Sequence, residues 1–235
     1  MSSIADRLAE VQERIAAALQ RVGRHDSAEL VAVSKTFSPE IVREAAKTPH
    51  QLFGESRVQE ALAKIPLCPT HLRWHLIGHL QSNKVRKILP LVEAVHSIDS
   101  LALAQDVDRA AAAAGRRVDV YLQVNVAEET AKHGFTADAV RRDLEALLRL
   151  ERVNVVGLMT IPPFAPEAEL SRRYFARLRE LRDSLAAAAG TPLSGLSMGM
   201  SDDFEIALEE GATIVRVGSA IFGRRQNLIG KKKDD

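Results

Sequence analysis

The run VAVSK (31–35) ends on a lysine that shares one side of an extended strand with Val31 and Val33. If the two valines fill an apolar interior, Lys35 stands at its open end with water on one side only. Partial desolvation lowers a lysine's pKa and favours the neutral amine. That amine is the nucleophile Schiff-base chemistry with a carbonyl requires. Taken alone, Lys35 has a competing reading as a strand-end lysine reaching out to water. A second run, TIVRVGSAIFG (213–223), gives Ile214, Arg216 and Gly218 one parity, so a face that buries Ile214 carries a guanidinium inward. Such a charge must find partners, because an unpaired buried cation is expensive. The step through Gly218 and Ser219 has little side-chain bulk and lets backbone N–H groups approach an anion. Ahead of it, SMGMSDDFEIALEE (197–210) offers Ser201 or Asp202 as a helix N-cap, with Glu205 completing a capping box from Asp202. A helix start presents unpaired N–H groups to an anion. The plainer reading is that these glycines only make tight turns.

Other residues carry weaker signals. His71, His75 and His79 recur every four residues, which on a helix would suggest a metal face. The segment reads as a strand, where four residues span roughly 13 Å, so no metal site is expected. His79, in the GHLQSNK turn, is placed at the mouth of the fold, either near a ligand or bonded within its own turn. Lys84, Arg86 and Lys87 form a basic patch, but aromatics make up only 4% of the chain, too few for a nucleic-acid platform. Lys132 in AKHGF is a second lysine that a phosphate or cofactor could reach, with a solvated loop residue as the default. Cys68 is the only cysteine, which excludes an internal disulfide or a thiolate zinc cluster.

Two kinds of segment alternate along the chain. Strand-like runs occupy 30–34, 50–53, 72–77, 91–98, 118–125, 153–161, 193–198 and 213–217. Between them, apolar residues recur at helical spacing, clearest over Ile41–Ala46, Val58–Ile65, Leu101–Ala114, Val140–Leu150 and Leu170–Ala188. Ile4, Leu8, Val11, Ile15 and Leu19 predict an amphipathic helix before the first strand. Eight βα units imply parallel strands and, at ~250 residues, the dimensions of a closed (β/α)8 TIM barrel with an extra N-terminal helix. A doubly wound open sheet is the runner-up. The chain is expected to form one domain over residues 1–223 with a tail over 224–235. Its 32 Lys+Arg against 31 Asp+Glu give no electrostatic reason to expect nucleic acid or a membrane surface as partner. With no long apolar run and a charged, periodic N-terminus, the chain is expected to be cytoplasmic, and to be a monomer.

In a barrel, the C-terminal strand ends carry the site, and the loops after strands seven and eight are the usual phosphate site. A ligand would then offer a carbonyl to Lys35 and a phosphate to Ser201 and Ser219. Pyridoxal 5′-phosphate (PLP) has both, with a ring nitrogen for which arginine is a known partner. The chain resembles the pyridoxal phosphate homeostasis proteins, related to the barrel domain of alanine racemase (fold-type III). The resemblance runs through VAVSK (31–35), FGESRVQEAL (53–62), WHLIGHLQSNKV (74–85), VHSIDS (95–100), QVNVAEETAKHGF (123–135), GLMTI (157–161), FARLRELRD (175–183) and LSMGMSDDFEIALEEGATIVRVGSAIFG (196–223). It implies that Lys35 carries the PLP aldimine, that the segments around Ser201 and Gly218–Ser219 cradle the phosphate, and that Arg216 faces the pyridine nitrogen. The family usually reads GEN where this chain has GES, so Ser56 replaces an amide there.

Three functions follow: a PLP carrier or buffer without turnover, a small PLP-dependent amino-acid racemase, or a PLP-free barrel enzyme using Lys35 on a phosphorylated sugar. Racemisation needs acid–base groups on both faces of the substrate. Tyr121, early in strand five, and Tyr174, in a helix, are not at strand C-terminal ends. Related racemases draw the opposing tyrosine from a second domain, which is not expected here. A permanent cation beside the ring nitrogen also weakens the ring as an electron sink. The expectation is therefore a non-enzymatic PLP protein serving apo-enzymes that need the cofactor.

Overall fold

The computed structural model describes residues 2–129 and 133–223, so Lys132 and the expected tail lie outside the described residues. Eight parallel strands run β1 (Glu29–Val33), β2 (Leu52–Glu55), β3 (Arg73–Leu76), β4 (Ala94–Ile98), β5 (Val118–Gln123), β6 (Val153–Met159), β7 (Gly195–Ser197) and β8 (Ile214–Val217). Each pairs with the next, and β1 pairs with β8 through Val31 opposite Arg216 and Ala32 opposite Val217. That last pairing closes the barrel and disposes of the open sheet. Around it lie α2 (Pro39–Ala45), α3 (Val58–Lys64), α4 (Val85–Ile88), α5 (Leu101–Ala113), α6 (Ala137–Leu148), α7 (Arg172–Ala189), α8 (Phe204–Glu209) and α9 (Ser219–Phe222), after a leading α1 (Ile4–Arg21). No described helix is long and apolar enough to cross a membrane.

Local chemistry accounts for three of the described helix starts. Ser3 and Asp6 form a reciprocal capping box at α1, and the hydroxyls of Ser100 and Thr136 accept N–H groups at the starts of α5 and α6. The expected apolar stripe of α1 buries Leu8, Val11, Ile15 and Leu19, each worth roughly 1.5–3 kcal/mol on removal from water. Arg14 and Arg21 then tie α1 to Glu205 of α8 at 2.7 and 3.0 Å, which seats the extra helix over the closing strands.

Several boundaries differ from expectation. Strand β2 sits two residues later than the run 50–53, because Gly54 and Glu55 lack the composition of a strand. Gly54 is required by packing, since a Cβ there would lie 2.6 Å from Val31 Cγ1. Strand β1 ends at Val33, so Ser34 and Lys35 belong to the turn that follows it. Helix α8 begins at Phe204 with Asp203 as its cap residue, not at Ser201 or Asp202. Asp203 accepts the Met200 N–H at 2.7 Å, and Glu205 turns to Arg14 and Arg21 instead of closing a capping box.

Candidate functional site

Val31, Val33, Leu52, Ile77, Tyr121, Met159 and Ile214 form a small apolar cluster separate from the large core under the helices. It holds both valines of VAVSK, and Lys35, in the turn just past the end of β1, lines the cavity at the mouth above it. The lysine is half-buried there. Its backbone is held from both sides by one buried charge cluster. Lys64, 4% exposed, donates from Nζ to Ser34 O at 2.8 Å, to Glu55 Oε1 at 2.7 Å and to Glu60 Oε1 at 2.6 Å. Ser34 Oγ donates to Glu55 Oε1, and the Thr36 N–H to Glu60 Oε1. Thr36 needs this grip. At φ 71° it is a β-branched residue in the left-handed region, a conformation that persists only when its surroundings enforce it. Burial pushes the Glu55 carboxyl up, while the bonds from Lys64 and Ser34 pull it down.

Arg216 enters the barrel as expected and is paired. Nη1 donates to Ser197 O at 2.8 Å and to Ser197 Oγ at 2.5 Å, and Nη2 to Thr160 O at 2.9 Å. Ser197 Oγ also bonds His96 Nδ1 at 2.8 Å, and His96 Nε2 meets His75 Nδ1 at 3.0 Å. Since β4 and β7 are not neighbours in the sheet, this chain crosses the interior. Burial lowers His75 to about 4 and, with His75 and Arg216 adding repulsion, holds His96 well below the ordinary histidine range. Both rings are neutral at physiological pH. Burial also lowers Arg216 to about 10, against a pull from Asp203, so the guanidinium keeps its charge at neutral pH. A guanidinium has five N–H donors, three of which are engaged here, leaving donors for an acceptor in the cavity.

The Ser201 and Gly218 side of the cavity is built differently from the expectation. Ser201 Oγ accepts the N–H of Gly218 at 3.1 Å and of Ala220 at 3.4 Å, lacing the β7–α8 connection to the start of α9. Gly218 passes so close to β1 that a Cβ would lie 3.2 Å from Val33 O, a tight fit that favours glycine. Ser219 is exposed at the rim. Lys35, Ser201, Arg216, Gly218 and Ser219 all line one cavity of about 420 Å³, within the size range of small-molecule sites. A larger hollow of about 620 Å³ opens beside Glu29 and Arg73, at the N-terminal strand ends, where barrels do not carry their chemistry.

This cavity fits PLP on its own terms: an amine, a charged donor fixed by buried acceptors, and two serine hydroxyls. Ser56, the residue that departs from GEN, also lines it, with Phe37, Gly78, Ile161 and Met200 supplying apolar wall. Those residues gave no chemical signal in the sequence. Of the three histidines of the 71–79 run, His71 is exposed, His75 is buried inside the barrel and His79 is exposed at the mouth. Tyr121 is buried against His96, where burial raises it to about 12, and Tyr174 is bonded to Arg173 on α7.

Comparison with known proteins fits this geometry. The model of the alanine racemase N-terminal domain matches residues 7–226. Pyridoxal phosphate homeostasis proteins of Aquifex aeolicus and Pseudomonas aeruginosa are 44% and 43% identical, over 94% and 96% of this chain and 98% and 97% of theirs. PipY of Synechococcus elongatus, solved with PLP bound, is 39% identical at a TM-score of 0.79, covering 91% of this chain and all of its own. Alanine racemase of Clostridium difficile, at 15% identity and a TM-score of 0.69 over 92% of this chain and 57% of its own, shares the fold. The chain therefore belongs to the pyridoxal phosphate homeostasis protein family, built on the barrel of the alanine racemase N-terminal domain.

Proposed function

We propose that this protein binds PLP as a Schiff base on Lys35 and holds or hands over the cofactor inside the cell without turning over a substrate. Lys35 would supply the amine that condenses with the aldehyde carbon of the cofactor, with loss of water. Ser201, Gly218 and Ser219 would hold the phosphate, and Arg216 the ring nitrogen. The observation that carries this reading is the convergence of these five residues on one cavity. The PLP-bound relative and the names of the similar proteins support the same cofactor. Neither tyrosine of the chain lines that cavity, which supports a holder over a racemase.

Absorption spectra before and after borohydride, with peptide mapping of the reduced adduct, test the attachment. Lys35→Ala is expected to lose the imine absorbance while keeping the fold, because Lys35 lies outside β1. A covalent adduct retained on Lys132 would sink the assignment. Chiral analysis after incubation with L- and D-amino acids tests turnover, and activation of an apo-enzyme by the loaded protein tests transfer. Steady racemisation that disappears in Lys35→Ala would establish the racemase instead. A colourless protein that traps a sugar phosphate on Lys35 would establish the PLP-free enzyme.

A further inference from the structure

Beside the cavity, three loops bring together a ligand set that no local spacing announced. His79 follows β3, Asp99 follows β4 directly, and His133 lies in the connection from β5 to α6. His79 Nδ1 lies 3.4 Å and His133 Nδ1 3.9 Å from the same oxygen, Asp99 Oδ2, and all three ligand atoms fall within 4.8 Å of one another. The imidazoles stack at 4.1 Å with 15° between their planes, so the two nitrogens reach the carboxylate from one side. These separations are long for hydrogen bonds. They are close to those of atoms sharing an ion: with bonds of 2.0–2.1 Å, tetrahedral ligands stand about 3.3–3.4 Å apart. One edge already has that length, and the others need to close by an ångström or so.

The backbone around these side chains is anchored. Gln123 Nε2 donates to His133 O at 3.0 Å, and two residues on the Phe135 N–H donates to Gln123 O at 2.8 Å. The side chains keep freedom to close, since His79 is 43% and His133 64% exposed against 15% for Asp99. We propose that His79, Asp99 and His133 form a binding site for a divalent transition-metal ion of the zinc class, with its open coordination position turned to water. Two imidazoles and one carboxylate are the donor set that borderline ions such as Zn²⁺ take, and that Mg²⁺ or Ca²⁺ do not favour. The site adjoins the Lys35 cavity without sharing its polar residues: the hollow lined by His79 and His133 meets it through Ile77, Gly78 and Ile161.

The test uses untagged full-length protein freed of PLP, so that neither a polyhistidine tag nor the cofactor binds metal. Zn²⁺ is titrated against a chromophoric chelator, and Co²⁺ is followed by its visible absorption. The wild type is expected to take up one equivalent of Zn²⁺ and to give the intense Co²⁺ bands of a four-coordinate site. His79→Ala, Asp99→Asn and His133→Ala should each weaken binding more than about tenfold, a scale that even outer partners of metal ligands command. Circular dichroism is expected to be unchanged in the two exposed histidine variants. Absence of stoichiometric binding, binding undiminished in any of the three variants, or six-coordinate Co²⁺ spectra would overturn the site.

Discussion

Replacing Lys64 with Met removes an ammonium from among three oxygens while leaving a straight side chain to fill its path. In the native chain that ammonium bonds Ser34 O, Glu55 Oε1 and Glu60 Oε1 at 2.8, 2.7 and 2.6 Å. Glu55 is fully buried, and its Oε2 finds no hydrogen-bond partner among the described residues. Without Lys64 the carboxylate retains the hydrogen bond from Ser34 Oγ, and a charge stranded in this way costs about 3–5 kcal/mol. That is a large part of the ~5–15 kcal/mol stability typical of a domain. Burial already raises Glu55, and Lys64 is the first of the groups that oppose it, so the substitution raises it further. A carboxyl with a raised folded-state pKa contributes its full stability below its unfolded value and loses it as pH climbs through the folded one. The deficit of Lys64→Met is therefore expected to be small near about pH 4.5 and full near about pH 8, read from urea unfolding at both. Adding Glu55→Gln should recover most of the loss, since the amide still accepts from Ser34 Oγ and leaves no charge behind. Equal losses at the two pH values, or a double variant no more stable than the single one, would refute the account.

Two further outcomes follow from the site. Ser201→Ala and Ser219→Ala should each weaken PLP by roughly 1.5–3 kcal/mol and pyridoxal much less, because only PLP carries the anion these loops address; equal losses in calorimetric titrations would place the phosphate elsewhere. His75, lowered to about 4 by burial, resists a proton that the unfolded chain accepts near the ordinary histidine value, so stability present above that value is lost as pH falls through about 4. The shift corresponds to roughly 3 kcal/mol, and His75→Gln should flatten that acid limb of the unfolding profile; an unchanged limb would contradict a neutral buried pair.

The barrel and the positions of Lys35 and Arg216 were legible because they depend on information within a few residues. Period-two parity converts directly into inside or outside once the strands close, so Ile214 predicted where Arg216 would stand, while Lys35 reaches the same cavity from the turn after β1. Ser201 was found for a reason that does not hold: its hydroxyl reaches the N–H of Gly218 seventeen positions on, while Asp203 takes the cap position. Glu60 and Lys64 carried no signal in the sequence, and only the fold brings α3 beside the end of β1, where Lys64 holds Ser34 O and Glu60 the Thr36 N–H. His79, Asp99 and His133 escaped for the same reason. Their spacing along the chain says nothing, and only closure of the sheet sets three loops side by side.

The polar lining of the Lys35 cavity bears directly on what the site can do. Its ionisable members are Lys35, Arg216 and Asp202, the last exposed at the rim. Proton exchange at a carbon held between two faces needs a group on each face whose pKa lies near the working pH. Asp202 is exposed to water at the rim, and Arg216 lies deep in the barrel, fixed by Ser197 and Thr160. Lys35, the residue proposed to hold the cofactor, is the one amine among the described residues lining the cavity. Arg216 adds a second constraint. A guanidinium that stays protonated up to about pH 10 donates a hydrogen bond to a ring nitrogen without giving up its proton at neutral pH, and its charge opposes protonation of that nitrogen from elsewhere. In the proposed arrangement Arg216 would hold the ring while withholding the positive charge that would let it draw electrons from a substrate carbon.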